Sequence, residues 1–128
     1  MTQTIASGLQ DVWRKIFGMK YLCLVYLADD KLHAVPDREC MNCGDDMRKK
    51  GLLLAAEPLF PVETAKTVRV RGGRLSITDG PFAETKEQLA GFYLIDAENH
   101  DEAVRIASQI PPAREGSIEV RPVRELQP

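Results

Sequence analysis

The chain lacks the features that would commit it to a membrane, a phosphate backbone or an oxidising compartment. No apolar run approaches the roughly 20 residues needed to span a bilayer, and no basic stretch leads into an apolar core and a small-residue cleavage site at the N-terminus. Lys and Arg number 17 against 19 Asp and Glu, a net charge of −2, so there is no overall pull on nucleic acid. Three cysteines, an odd number, fit reduced thiols better than a disulfide framework. A glycine-rich phosphate loop, a G-x-S-x-G elbow and an H-E-x-x-H helix are all missing. These absences predict a soluble, cytoplasmic protein with no nucleic-acid or membrane partner, and they call for no cofactor. With 128 residues, 44% of them hydrophobic, the chain can bury one core but not two.

What is present divides at residue 18. In residues 1–18, Leu9, Val12, Trp13, Ile16 and Phe17 fall at helical spacing around Asp11, Arg14 and Lys15, which predicts an amphipathic extension preceding a domain of residues 19–128. Tyr21 to Leu27 is an apolar run of strand length. A helix capped by Asp37 follows, weakened by Gly44 and ending in Arg48-Lys49-Lys50 at its negative pole. Leu52 to Ala56 predicts a second strand ended by Pro58 and Pro61. Residues 67–71 and 74–78 alternate apolar and polar about Gly72-Gly73, a turn that can take positive φ at both positions, and so predict a hairpin. Gly91 to Ala97 predicts the next strand. Asn99 or Asp101 then caps a helix with Ala103, Val104, Ile106, Ala107 and Ile110 on its apolar face, stopped by Pro111-Pro112. Ser117 to Val123 predicts the last strand. The order implies an α+β, ferredoxin-like βαββαβ sheet with an inserted hairpin and helices on one face.

The most specific stretch is Thr78-Asp79-Gly80-Pro81-Phe82-Ala83-Glu84-Thr85-Lys86-Glu87, which puts a turn former, an aromatic ring and charged groups between two strands. Here, and at Gly116-Ser117-Ile118-Glu119-Val120-Arg121-Pro122-Val123, the chain resembles the YCII-related family, in particular the branch with an Asp-Gly-Pro-Phe signature; the resemblance runs from Met19 to about Val123. It implies a dimeric α/β-barrel in which two sheets pack face to face, hence a homodimer. It implies no agreed reaction. Members of the family often accompany extracytoplasmic sigma factors, which gives a regulatory, ligand-binding module as an alternative to an enzyme. A His and an Asp on or just after the first helix have been treated as a catalytic pair in the family; Cys40 and Lys49 stand near those places here.

Each candidate residue has a functional and a structural reading. In the loop, Asp79 can take or give a proton, Phe82 wall a pocket for an unknown small molecule, and Glu84, Lys86 or Arg121 hold its polar groups. Alternatively Asp79 caps the turn that Gly80-Pro81 shape, Phe82 fills the core, and Glu84 and Lys86 pair on the surface. Glu57, directly after an apolar strand, reads as a ligand-binding carboxylate or as the ion-pair partner of Arg69, Arg71 or Arg121. Cys40-Met41-Asn42-Cys43 reads as a redox pair whose pKa the helix N-terminus would lower, or as two ordinary thiols. A zinc site would need four ligands, with only Cys23 and His33 nearby, and no metal site is assigned. His33 and His100 read as solvated. The arginines at 69, 71 and 74 read as the polar face of a hairpin.

Overall fold

A computed structural model describes residues 19–128; the amphipathic extension expected in residues 1–18 lies outside the described residues. Nine residues of continuous strand, Lys20–Ala28 (β1), open the domain, with Tyr21, Cys23, Val25 and Leu27 buried and the residues between them half-buried. That alternation is the two-residue period of a strand with one face on a core and the other uncovered. A short 3-10 turn at Asp29–Lys31 leads to helix α1, Asp37–Lys49. Asp37 was expected as its cap, but Pro36 takes the N-cap position without a side-chain bond, and Asp37 and Glu39 add charge to the first turn. The helix ends in a Schellman motif. Leu52 N–H donates to the Met47 carbonyl at 2.9 Å and Gly51 N–H to Arg48 at 3.0 Å, which requires the φ of +73° at Gly51.

Strand β2 is Leu53–Pro58, and a 3-10 turn at Val62–Thr64 precedes the hairpin of β3, Lys66–Arg71, and β4, Arg74–Asp79. Gly72 and Gly73 take φ of 56° and 75°, as their two-residue turn demands. Strand β5 runs Glu87–Asp96, four residues earlier than its apolar run suggested, because Glu87 to Leu89 continue the pairing with β1 beyond a bulge, between Val25 and Tyr26, at which Ala90 has no partner. Helix α2, His100–Ala107, is capped by Asn99, whose Oδ1 accepts from Glu102 N–H at 2.9 Å, while Glu102 Oε1 accepts from Glu98 N–H at 2.8 Å. Its buried face is Ala103, Ile106 and Ala107 with Ile110 beyond; Val104, expected there, is 51% exposed. The helix stops before the prolines, which are themselves buried in a 3-10 turn at Pro111–Arg114, and β6, Ser117–Pro122, closes the chain.

The main sheet has order β2-β5-β1-β6 with every neighbouring pair antiparallel, the ferredoxin-like α+β arrangement, and β3-β4 form a separate two-stranded ribbon. Both helices lie on one face, over a core in which Cys23, Ile95 and Ile110 are almost fully buried. Burying an aliphatic side chain such as Ile95 or Ile110 contributes about 1.5–3 kcal/mol. No described helix is long and apolar enough to cross a membrane.

Candidate functional site

The sheet face opposite the helices is the surface that no described element of the same chain covers. Pairing register sets what stands on it. One row crosses the strands as Glu57, Phe92, Leu24 and Glu119, and the row beside it as Ala55, Leu94, Leu22 and Arg121. Toward the end where β1 finishes and β5 begins, Tyr26 stands opposite Leu89 and Ser117, and Ala28 opposite Glu87. The centre is therefore apolar, and the margins carry Glu57 and Ala55 on one side and Glu119 and Arg121 on the other. Ser117 Oγ donates to Glu87 Oε1 at 2.6 Å, tying β6 to β5 across β1. Glu87, Ser117 and Tyr26 were missed in the sequence, since Glu87-Gln88-Leu89 does not read as a strand; the signal was the alternation of Tyr26 with the buried Val25 and Leu27.

The 80–86 loop enters β5 at this same end. Asp79 does not cap the turn with its carboxylate. It is paired with Lys66, its partner across the ribbon, and stays largely exposed. Gly80 closes the base: its N–H donates to the Ala65 carbonyl at 2.8 Å, its carbonyl accepts from Thr67 Oγ1 at 2.8 Å, and its φ is 93°. Phe82 is 80% exposed, so it fills no part of this chain's core, and Glu84 and Lys86 are exposed beside it. Glu57 is exposed too and needs no buried partner. Arg121 stands at the opposite edge of the sheet, three strand spacings or about 14 Å from the β2 edge, beside Glu119 at 3.8 Å. Within one chain Glu57 and Arg121 do not meet.

The Cys-x-x-Cys pair sits differently. Cys40, Cys43, Gly44 and Met47 are the inward stripe of α1, so the two thiols share a face because three residues make nearly one helical turn. Burial is the largest influence on both thiols. It pushes both thiols up, the Asp37 and Glu39 charges adding to it at Cys40 against a hydrogen bond with the Tyr93 hydroxyl, and the Cys40, Asp46 and Glu39 charges adding to it at Cys43. Cys43 Sγ lies 3.6 Å from the Gln109 carbonyl. Tyr93, 8% exposed, is raised by burial first and by the two thiols second. Cys40 and Lys49, which the resemblance sets near a His and an Asp of the family, are nine residues apart, about 13 Å along the axis, the one half-buried and the other exposed, so they form no pair. His33 is exposed in the loop before α1, and His100 stacks on Tyr21 with ring centroids 5.7 Å apart. Among the described residues no three His, Cys, Asp or Glu side chains converge as metal ligands.

Two grooves lie on the helix side. One, of about 390 Å³, runs between α2 and β6 past His100, Val104 and Val120; the other, of about 320 Å³, lies between α1 and the 3-10 turn and includes Cys43, Glu39 and Lys50. Neither contains Asp79, Phe82, Glu57 or Arg121.

The chain is 49% identical over 72 residues to an uncharacterised protein of Rhizobium meliloti (strain 1021), a match covering 55% of this chain and 58% of that relative's length. The family model for the YCII-related domain matches residues 19–127, which include all six strands, both helices and the 78–87 loop. With that match over most of its length, the chain belongs to the YCII-related family.

Proposed function

We propose that the domain binds a small molecule on the uncovered sheet face, at the end bordered by the 80–86 loop, and does so as a homodimer whose second copy roofs the face. The observation that carries this reading is the composition of that face. An apolar centre of Leu24, Phe92 and Tyr26 is ringed by Glu57, Glu87 and Glu119, the pattern of a ligand site with a few placed polar groups. Asp79 is the proposed proton-transfer group, since its carboxylate is accessible and its one described partner, Lys66, is a surface ammonium that a ligand can displace. Phe82 is proposed as a wall, Glu84 and Lys86 as polar contacts on the loop, and Arg121 as the cation at the far side of the same face.

The test is a fragment collection titrated into the full chain and read by amide NMR, followed by the Asp79→Asn variant. Expected are shifts concentrated at Tyr26, Glu57, Phe92 and residues 80–86, weakened at least tenfold in Asp79→Asn with its melting temperature unchanged. Shifts confined to the two helix-side grooves would sink the site. If Asp79→Asn melts earlier but binds equally well, Asp79 is structural and the non-catalytic, regulatory module associated with transcription becomes the better reading.

A further inference from the structure

The groove between α2 and β6 is walled mostly by apolar side chains, and no described element covers it. Along one wall His100, Val104 and Ser108 follow one another at helical spacing, and Val104 is the residue whose periodicity placed it in the core but which stands 51% exposed. Ile118 and Val120 form the other wall. They pair with the buried Val25 and Cys23 and so point to the helix side, yet they are only half-buried, because β6 is the edge strand.

We infer that the occupant of this groove is the chain's own residues 7–17, laid in it as a helix antiparallel to α2 with the Val12, Trp13 and Ile16 side chains against Val104, Ile118 and Val120. The segment lies outside the YCII-related match, so the cover is something this chain adds to the family domain. Its sequence has the signals of a helix: the apolar stripe from Leu9 to Phe17, Ser7 and Gln10 at capping-box spacing, and Gly18 where a helix can end in the left-handed conformation. The point of entry selects the groove. Met19 accepts from Ala97 N–H at 3.1 Å, and Tyr21 stacks on His100, so the chain enters β1 at the end of the groove where α2 begins. Phe17 is two residues before Met19, within about 7 Å of it. The lengths agree, since residues 7–17 span about 16 Å as a helix and His100 to Ser108 about 13 Å. In the antiparallel register Arg14 and Lys15 come level with Asp101, which flanks Val104 on the outer side of α2 and has no ion pair among the described residues, and Asp11 comes level with Arg105. A link as short as Gly18-Met19 holds the stripe at an effective concentration on the order of millimolar, so at lower protein concentration a second copy's segment cannot compete.

The inference is independent of the ligand and dimer readings, which concern the other face of the sheet. Trp13 is the one tryptophan in the chain, so its emission reads the segment directly. Emission and acrylamide quenching are compared for the full chain and Val104→Glu over a dilution series, with and without phosphatidylcholine–phosphatidylglycerol vesicles, and circular dichroism checks that the fold is kept. A benzophenone amino acid at position 108, in a mixture of heavy- and light-isotope chains, reports what lies in the groove. Expected are a blue-shifted wild-type emission that neither dilution nor vesicles change, a quenching constant raised at least threefold in Val104→Glu, and same-isotope cross-links to residues 7–17. If that variant unfolds, the wild-type emission and the cross-links decide alone. Water-like emission from the wild type overturns the docking, and so does a blue-shifted emission that a folded Val104→Glu leaves unchanged. Burial lost on dilution with mixed-isotope cross-links assigns the groove to a second copy's segment, and burial that appears only with vesicles assigns the stripe to a lipid surface; either result overturns docking within one chain.

Discussion

At Gly116 a β-carbon would stand 2.1 Å from the Tyr26 carbonyl oxygen and 2.8 Å from Leu27 Cδ2. The first of these is backbone in the middle of the sheet and cannot step aside. Gly116→Ala is therefore expected to cost about 1–3 kcal/mol, the usual penalty of overpacking, measured as a lower urea midpoint at constant slope. Gly44 is the contrast. Its nearest neighbour would be Leu53 Cδ2 at 3.6 Å, an ordinary contact, and alanine is the better helix former by about 1 kcal/mol, so Gly44→Ala is expected to be neutral or stabilising. Equal losses at both positions would mean that strand-helix spacing, not the local contact, sets these costs. In the sequence Gly44 was visible as a weak point of a helix, whereas Gly116 was visible only as part of a family signature. Its physical reason is a carbonyl 90 residues away in the chain. The thiols are a middle case: the spacing of Cys40, Cys43, Gly44 and Met47 was in view, yet whether that stripe faced a core or solvent depended on Tyr93 and Gln109 from elsewhere.

Among the elements, α1 and the 3-10 turn after α2 are joined by a two-pronged ion pair, Arg114 to Glu39 at 2.5 and 2.8 Å. The Arg114 guanidinium holds the Glu39 carboxyl below its ordinary value, chiefly by hydrogen bonding. A depressed carboxyl contributes stability above its unfolded pKa and loses it as pH falls through the folded value. Arg114→Ala should thus raise the Glu39 pKa toward an ordinary glutamate in an NMR titration and lower the melting temperature slightly at pH 7, with the difference vanishing in acid. An unchanged Glu39 titration would show that the pair does not persist in solution. The hairpin was the most legible element, because Gly72-Gly73 and the alternation on either side are local signals. The start of β5 was the least, since a polar Glu87-Gln88 segment becomes strand only by pairing with Leu27 and Ala28.

For the whole molecule the buried acids Cys23, Tyr21, Tyr93, Cys40 and Cys43 all shift the same way. Burial raises each of them, Cys23 from 9.0 to about 11. The unfolded chain then ionises first, so between those values it binds fewer protons than the folded one and stability falls as pH rises. Cys23 alone accounts for on the order of 2 kcal/mol across that interval. Melting temperatures from pH 7 to 10.5 are expected to be level up to about 9 and then to drop, the drop being shallower in Cys23→Ala; a flat profile to pH 10.5 would contradict the burial of these groups. By itself the sequence determined the element order, the α+β class, the glycine turn and the family, all of which follow from local periodicity, turn chemistry and short motifs. Only the tertiary structure decided that Asp79 pairs with Lys66, that Glu57 and Arg121 stand at opposite edges of one uncovered face, and that the thiols are packed against the sheet. Those outcomes depend on strand register and on which face the helices cover, and both are set by contacts between residues far apart in the chain.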